Sequence, residues 1–286
     1  MTAVALALVL SAAVIHASWN FILKRSGGGN AFVWLFAVVS SLIYAPLAAA
    51  IIRWQQPHFG WVHYGLMLAS AALHTCYYML LDRGYRGGDL SIVYPIARGT
   101  GPLITMLCAV LLLHENPGTV AVAGALLIGG GAFLLTGDPR VLRASGNVHA
   151  VGFALLTGCT IAAYTLVDKL AVSTWLIPPL VQDWATNLGR LLLMAPLVAR
   201  ESANLGPTWR RAWKSIVAIA VLCPLAYILV LSAMVFTPVS YVAPAREVSI
   251  LVGALMGAHL LQEGDAVRRT IAASAMVGGI FCLALG

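Results

Sequence analysis

Ala13-Val-Ile-His-Ala-Ser-Trp-Asn-Phe-Ile-Leu-Lys24 returns later in the chain as Gly158-Cys-Thr-Ile-Ala-Ala-Tyr-Thr-Leu-Val-Asp-Lys169, an offset of 145 residues. A second pair follows. Tyr94-Pro95-Ile-Ala-Arg98, running to His114-Glu115, returns as Ala243-Pro244-Ala-Arg246, running to Gln262-Glu263. The prolines are 149 residues apart and the glutamates 148. One unit of about half the chain is therefore present in two diverged copies. In a membrane protein, two such copies point to a transporter with its site between the halves.

Composition places the chain in a membrane. Sixty per cent of its residues are hydrophobic and 9% are charged, against roughly 25% charged in a soluble domain. The apolar runs approach the ~20 residues that span a bilayer. We mark ten spans, at 3–23, 31–52, 61–81, 90–113, 117–136, 149–171, 178–199, 215–235, 239–261 and 267–285. Runs of this length must be helical, because hydrocarbon offers the backbone no partners and barrel strands would be shorter and alternating. The expected fold class is thus all-α integral membrane, with ten transmembrane helices in two inverted-topology five-helix repeats. The expected division is a first repeat over 1–136, a polar linker over 137–148 and a second repeat over 149–286.

The basic residues support the inversion. Twelve of them follow spans 1, 3, 5, 7 and 9, and two, Arg53 and Lys169, follow spans 2, 4, 6, 8 and 10. An odd number of spans per copy inserts the second copy upside down, and its charge bias has changed place to keep one side basic. Counted strictly, that side is cytoplasmic and both termini face outward. The net charge of +7 sits in loops and at helix ends, so it reads as topology and not as nucleic-acid binding. The five cysteines lie inside apolar runs without ligand spacing, and neither a metal nor a disulfide framework is expected. The amino terminus lacks the basic start of a signal peptide and belongs to the repeat, so it reads as a retained helix.

With Trp19-Asn20 and Lys24, Tyr78, Tyr94-Pro95-Ile-Ala-Arg98 with Gly101-Pro102, and His114-Glu115, the chain resembles the drug/metabolite transporter superfamily and its EamA-type members. Tyr164 with Lys169, Tyr227, Pro244 with Arg246, and Glu263 carry the likeness through the second copy. The resemblance implies ten helices, alternating access, and export or exchange of small metabolites such as amino acids. Members commonly have both termini in the cytoplasm, which stands against the charge count.

Span 1 places His16, Trp19, Asn20, Leu23 and Lys24 at i, i+3, i+4, i+7 and i+8, on one face. Polar groups in an apolar helix face protein or water, so this face reads as a cavity wall or as glue between helices. Arg98 and Arg246 each lie inside an apolar span just after a proline. A mid-bilayer charge costs about 2.5–3.5 kcal/mol or more. Pro95 and Pro244 free a carbonyl each, as expected of helix breaks or hinges. Either the arginines contact substrate or a carboxylate on another helix neutralises them. Tyr78, Tyr94, Tyr164 and Tyr227 are candidate walls. Asp183, Asn187 and Arg190 form one stripe of span 7, a self-satisfied ladder or a proton relay, with Asp183 or Glu247 exchanging the proton. Glu115 and Glu263 read as favouring the dipole of the helix that follows each.

The substrate-binding set expected from sequence is therefore His16, Trp19, Asn20, Lys24, Tyr78, Tyr94, Arg98, Tyr164, Lys169, Tyr227 and Arg246. Its basic members favour an anionic or zwitterionic metabolite such as an amino acid, organic acid or phosphonate, carried by a secondary transporter. The alternatives are an integral-membrane enzyme acting on a lipid-linked substrate, or a multidrug or cation exporter of the same fold. No phosphate-binding Gly-Lys-Ser/Thr loop is present, which excludes a primary pump within this chain. The expected partners are the lipid bilayer and a small-molecule substrate, in a bacterial inner membrane, with no cofactor and no nucleic acid. Gly253-Ala-Leu-Met-Gly257 reads as close helix packing, with a homodimer open beside a monomer.

Overall fold

The apolar runs fold as helices that satisfy their own backbone. In a computed structural model, the structure describes residues 1–26, 29–87, 90–136, 148–258 and 266–286. The helices are α1 (Ala3–Ser26), α2 (Asn30–Gln55), α3 (Trp61–Gly87), α4 (Leu90–Leu112), α5 (Thr119–Thr136), α6 (Val148–Lys169), α7 (Pro179–Ala199), α8 (Leu205–Phe236), α9 (Val239–Arg246), α10 (Val248–Ala258) and α11 (Ala266–Leu285). Because α9 and α10 are two pieces of one span, the described residues form ten spans, with no strand among them. Five stretches, in α1, α2, α3, α6 with the π turn after it, and α8 with the short turn before it, are long and apolar enough to cross a bilayer on length and composition alone.

The packing of the two halves is reciprocal. Helix α1 packs on α8 as α6 packs on α3, and α2 packs on α8 as α7 packs on α3. Helix α1 meets α10 as α6 meets α4. The pairs α2–α7, α4–α9 and α5–α11 map onto themselves when α1–α5 are exchanged for α6–α11. A two-fold relation between halves produces this pattern. With five spans in each, the axis lies in the membrane plane.

Small residues bring the helices close. A Cβ on Gly124 would stand 2.7 Å from the Gly279 carbonyl oxygen, and one on Gly279 2.6 Å from that of Gly124. Backbones of α5 and α11 therefore touch directly, as in tightly packed membrane helices. Three indole or phenol donors tie α2 to the second half. Trp34 Nε1 donates to the Leu191 carbonyl at 3.2 Å, Tyr44 Oη to the Val221 carbonyl at 2.7 Å, and Trp184 Nε1 to the Ser41 carbonyl at 3.0 Å. Outward, Leu42, Leu68, Leu126 and Leu192 are all about 60% exposed or more, an apolar surface that suits lipid and not water. Trp54 and Trp61, at the end of α2 and the start of α3, are 88% and 91% exposed, the placement of an interfacial aromatic belt.

The matched prolines behave differently in the two copies. Glu247 N donates to the Pro244 carbonyl at 3.0 Å, and Ile250 N to the Glu247 carbonyl at 2.9 Å. These tight turns separate α9 from α10. Helix α4 runs unbroken through Pro95, so the expected break there is absent. Proline at the sixth position of α4 removes one donor, and the rest of the ladder carries the helix through. Span 8 begins about ten residues earlier than expected. Pro207 is accommodated in its first turn, and the chain departs from helical geometry at Ala212, with φ −131° and ψ 16°.

A corner between the halves is stapled by Glu115. His114 adopts φ 54°, which turns the chain so that Glu115 reaches the other half. Its carboxylate accepts from Val239 N at 2.8 Å and Ser240 N at 2.9 Å. Glu115 thus caps α9, not the helix that follows it, and its charge sits against the positive end of α9. Glu263 lies outside the described residues.

Candidate functional site

One cavity opens between the halves, with a volume of about 90 Å³, several times what one water needs. From the first half, α1 supplies His16 and Trp19, α3 supplies His74, Tyr77 and Tyr78, and α4 supplies Arg98. From the second, α6 supplies Tyr164, and α7 supplies Asp183, Thr186, Asn187 and Arg190. Helix α8 adds Cys223, Ala226, Tyr227 and Val230, and α9 ends on Arg246.

Its walls are aromatic and interlocked. His74 stacks on Tyr164 with ring centres 4.0 Å apart and 28° between planes. Tyr227 stands edge-on to His74 at 5.5 Å, and His16 edge-on to Trp19 at 4.8 Å. Such contacts fix ring orientation and leave flat apolar faces toward the cavity. The Trp19 Nε1 is buried without an acceptor among the described residues.

Three buried arginines reach this space, and each is held differently. Arg98 Nη2 stands 3.1 Å from Glu247 Oε2, an ion pair between α4 and the α9–α10 junction. Arg246 Nη2 donates to Tyr164 Oη at 3.1 Å, and its guanidinium lies 5.8 Å from the Tyr227 ring centre. Arg190 Nη2 donates to the Asn187 amide oxygen. Asn187 in turn donates to Asp183 Oδ2 at 3.0 Å. Behind the wall, Tyr227 Oη donates to Asp168 Oδ2 at 2.5 Å, and Gln182 Nε2 donates to Asp168 Oδ1 at 2.9 Å. Asp168 is fully buried and joins α6, α7 and α8 through neutral donors.

Residues 3–137 match the model of the EamA-like transporter family. The first half of the chain is thus similar to that family. The EamA-like reading fits the drug/metabolite transporter superfamily. Among solved structures, one crystal structure matches over 100% of this chain and 98% of its own, with a TM-score of 0.78 at 16% identity. At that identity the likeness shows the shared fold alone. No curated protein matches the chain.

The structure brings His16, Trp19, Tyr78, Arg98, Tyr164, Tyr227, Arg246 and Asp183 to one cavity. It does not bring Asn20 or Lys169 there. Asn20 Nδ2 donates to the His16 carbonyl at 2.8 Å, so its amide is satisfied on its own helix. Lys169 Nζ donates to the Met234 and Thr237 carbonyls at 2.7 and 2.9 Å. It closes the C-terminus of α8, where a cation suits the helix dipole. Glu247 is committed to Arg98. The side chains of Lys24, Tyr94 and Pro95 lie outside the described residues. Pro244 is buried in α9 and reaches the site only through the tight turn after it.

Sequence reasoning left out His74, Tyr77, Thr186 and Cys223, and kept Asn187 and Arg190 as a structural stripe. One signal was available. His74 lies four residues before Tyr78 in an apolar span, which puts both on one helix face.

Proposed function

We propose that the protein is a secondary transporter that exports or exchanges a small anionic or zwitterionic metabolite, such as an amino acid, organic acid or phosphonate. The observation that carries this reading is a cavity between the two halves that combines three arginines with aromatic walls. Arg98 is balanced by Glu247. Arg190 and Arg246 remain, with Asp183 in the same lining and Asp168 behind Tyr227. Charges of both signs at separate points suit a zwitterion, and the two guanidiniums bonded to neutral partners suit an anionic end. Phenol, indole and imidazole faces enclose an apolar body.

In this reading the repeats over 1–136 and 149–286, joined by 137–148, rock against one another in the bacterial inner membrane. The site is exposed to each side in turn. Asp183, which faces the cavity, exchanges the coupling proton, and Glu247 does not. A second reading, export of a lipophilic cation, draws on Asp183 amid aromatic rings. A thermal-shift screen of purified protein against amino acids, organic acids, phosphonates and cationic drugs separates the two. Stabilisation by oxyanions or zwitterions supports the proposal, and stabilisation by cations alone overturns it.

A further inference from the structure

The three arginines are not equivalent, and the difference singles out one that the repeat does not mark. Arg98 has a carboxylate at 3.1 Å. Arg246 has the Tyr164 hydroxyl and a ring face. Arg190 is 5% exposed and lines the cavity. Its Nε has no acceptor among the described residues, and no carboxylate there stands within ion-pair distance of it. Its guanidinium lies 5.2 Å from the Tyr78 ring centre and 5.5 Å from that of Phe36.

We infer that Arg190 is the anchor for the anionic end of the substrate, a carboxylate or a phosphonate, with Asn187 and the two rings fixing its orientation. This rests on the anionic or zwitterionic reading above and deepens it. A guanidinium offers five donors in a planar fork that matches a two-oxygen anion. Here the Phe36 and Tyr78 rings flank the guanidinium, the Tyr78 hydroxyl shares a hydrogen bond with it, and Nε stays without an acceptor among the described residues. Asn187 takes one donor and is itself tied to Asp183, so the stripe along α7 works as a brace. A buried guanidinium with vacant donors is costly to keep, and an oxyanion in the cavity would fill them. The second copy alone carries this arginine. The corresponding first-copy helix, α2, has Phe36, Ser40 and Tyr44 among its buried residues and no arginine before Arg53 in its last turn. The cavity is thus asymmetric, and the anion is held from the α7 side.

The test uses the full-length protein in detergent with benzoate and its neutral isostere benzamide, read by quenching of tryptophan fluorescence. Wild type is expected to prefer benzoate. Arg190→Gln is expected to weaken benzoate at least about tenfold, the effect of losing a charge-assisted contact, while leaving benzamide unchanged. Arg190→Lys, which keeps the charge but not the fork, is expected to fall between them, and it keeps the test open if the glutamine variant does not fold. An unchanged benzoate preference in Arg190→Gln overturns the inference, as does loss of the preference in Arg246→Gln alone. If wild type binds neither benzoate, phenylphosphonate nor L-phenylalanine, the anionic reading and the anchor both fall. If it binds them and the arginine variants match it, only the anchor falls.

Discussion

Arg98 and Glu247 form the one ion pair described within the bilayer, and its removal should report on structure before transport. The side chains are 7% and 2% exposed, with nitrogen and oxygen 3.1 Å apart. Arg98→Met would leave the Glu247 carboxylate buried without its cation. Glu247→Leu would do the reverse. Each should cost about 3–5 kcal/mol, the penalty for an orphaned buried charge. Arg98→Met with Glu247→Leu removes both charges and keeps volume, so it should recover most of that loss. Unfolding titrations of the purified variants, set out as a double-mutant cycle, should give a coupling energy of about 2 kcal/mol or more. Additivity to within about 0.5 kcal/mol would refute the reasoning and return Arg98 to the substrate.

Glu115→Ala should destabilise the protein by about 2 kcal/mol, since two backbone donors at the start of α9 lose a charged acceptor; the same titration reads it. Asp183→Asn in proteoliposomes should abolish proton flux that accompanies substrate while Glu247→Gln in folded protein should not, measured with a trapped pH dye. A cysteine placed at Trp209 in a background without native cysteines should resist an impermeant reagent in intact cells. Labelling there would put the basic loops outside and favour the family's usual arrangement.

Much of the fold was legible because two periodic signals reinforced one another. Apolar runs set the spans, and the return of Lys24 as Lys169 and Pro95 as Pro244 set their pairing. Matched residues did not, however, keep matched roles. Pro95 leaves α4 unbroken while a tight turn follows Pro244, because tertiary packing decides whether a lost donor opens a helix. Lys169 and Glu115 looked like site or dipole residues, yet both bind backbone at the α8–α9 corner. Periodicity shows which face a residue occupies, but not which distant carbonyl or amide will meet it. Asp168 was visible as an acid in an apolar span, and its meaning depended on Tyr227 and Gln182, 59 and 14 residues away.

Counterflow in proteoliposomes tests the central claim most directly. Vesicles preloaded with an unlabelled metabolite identified by the thermal-shift screen are given the labelled form outside. Wild type should show transient, saturable accumulation. Ala226→Trp, which fills the cavity from α8 where Ala226 is 3% exposed, should abolish it and leave the arginines in place. Counterflow at the wild-type rate in the folded Ala226→Trp protein would contradict a transport route through this cavity.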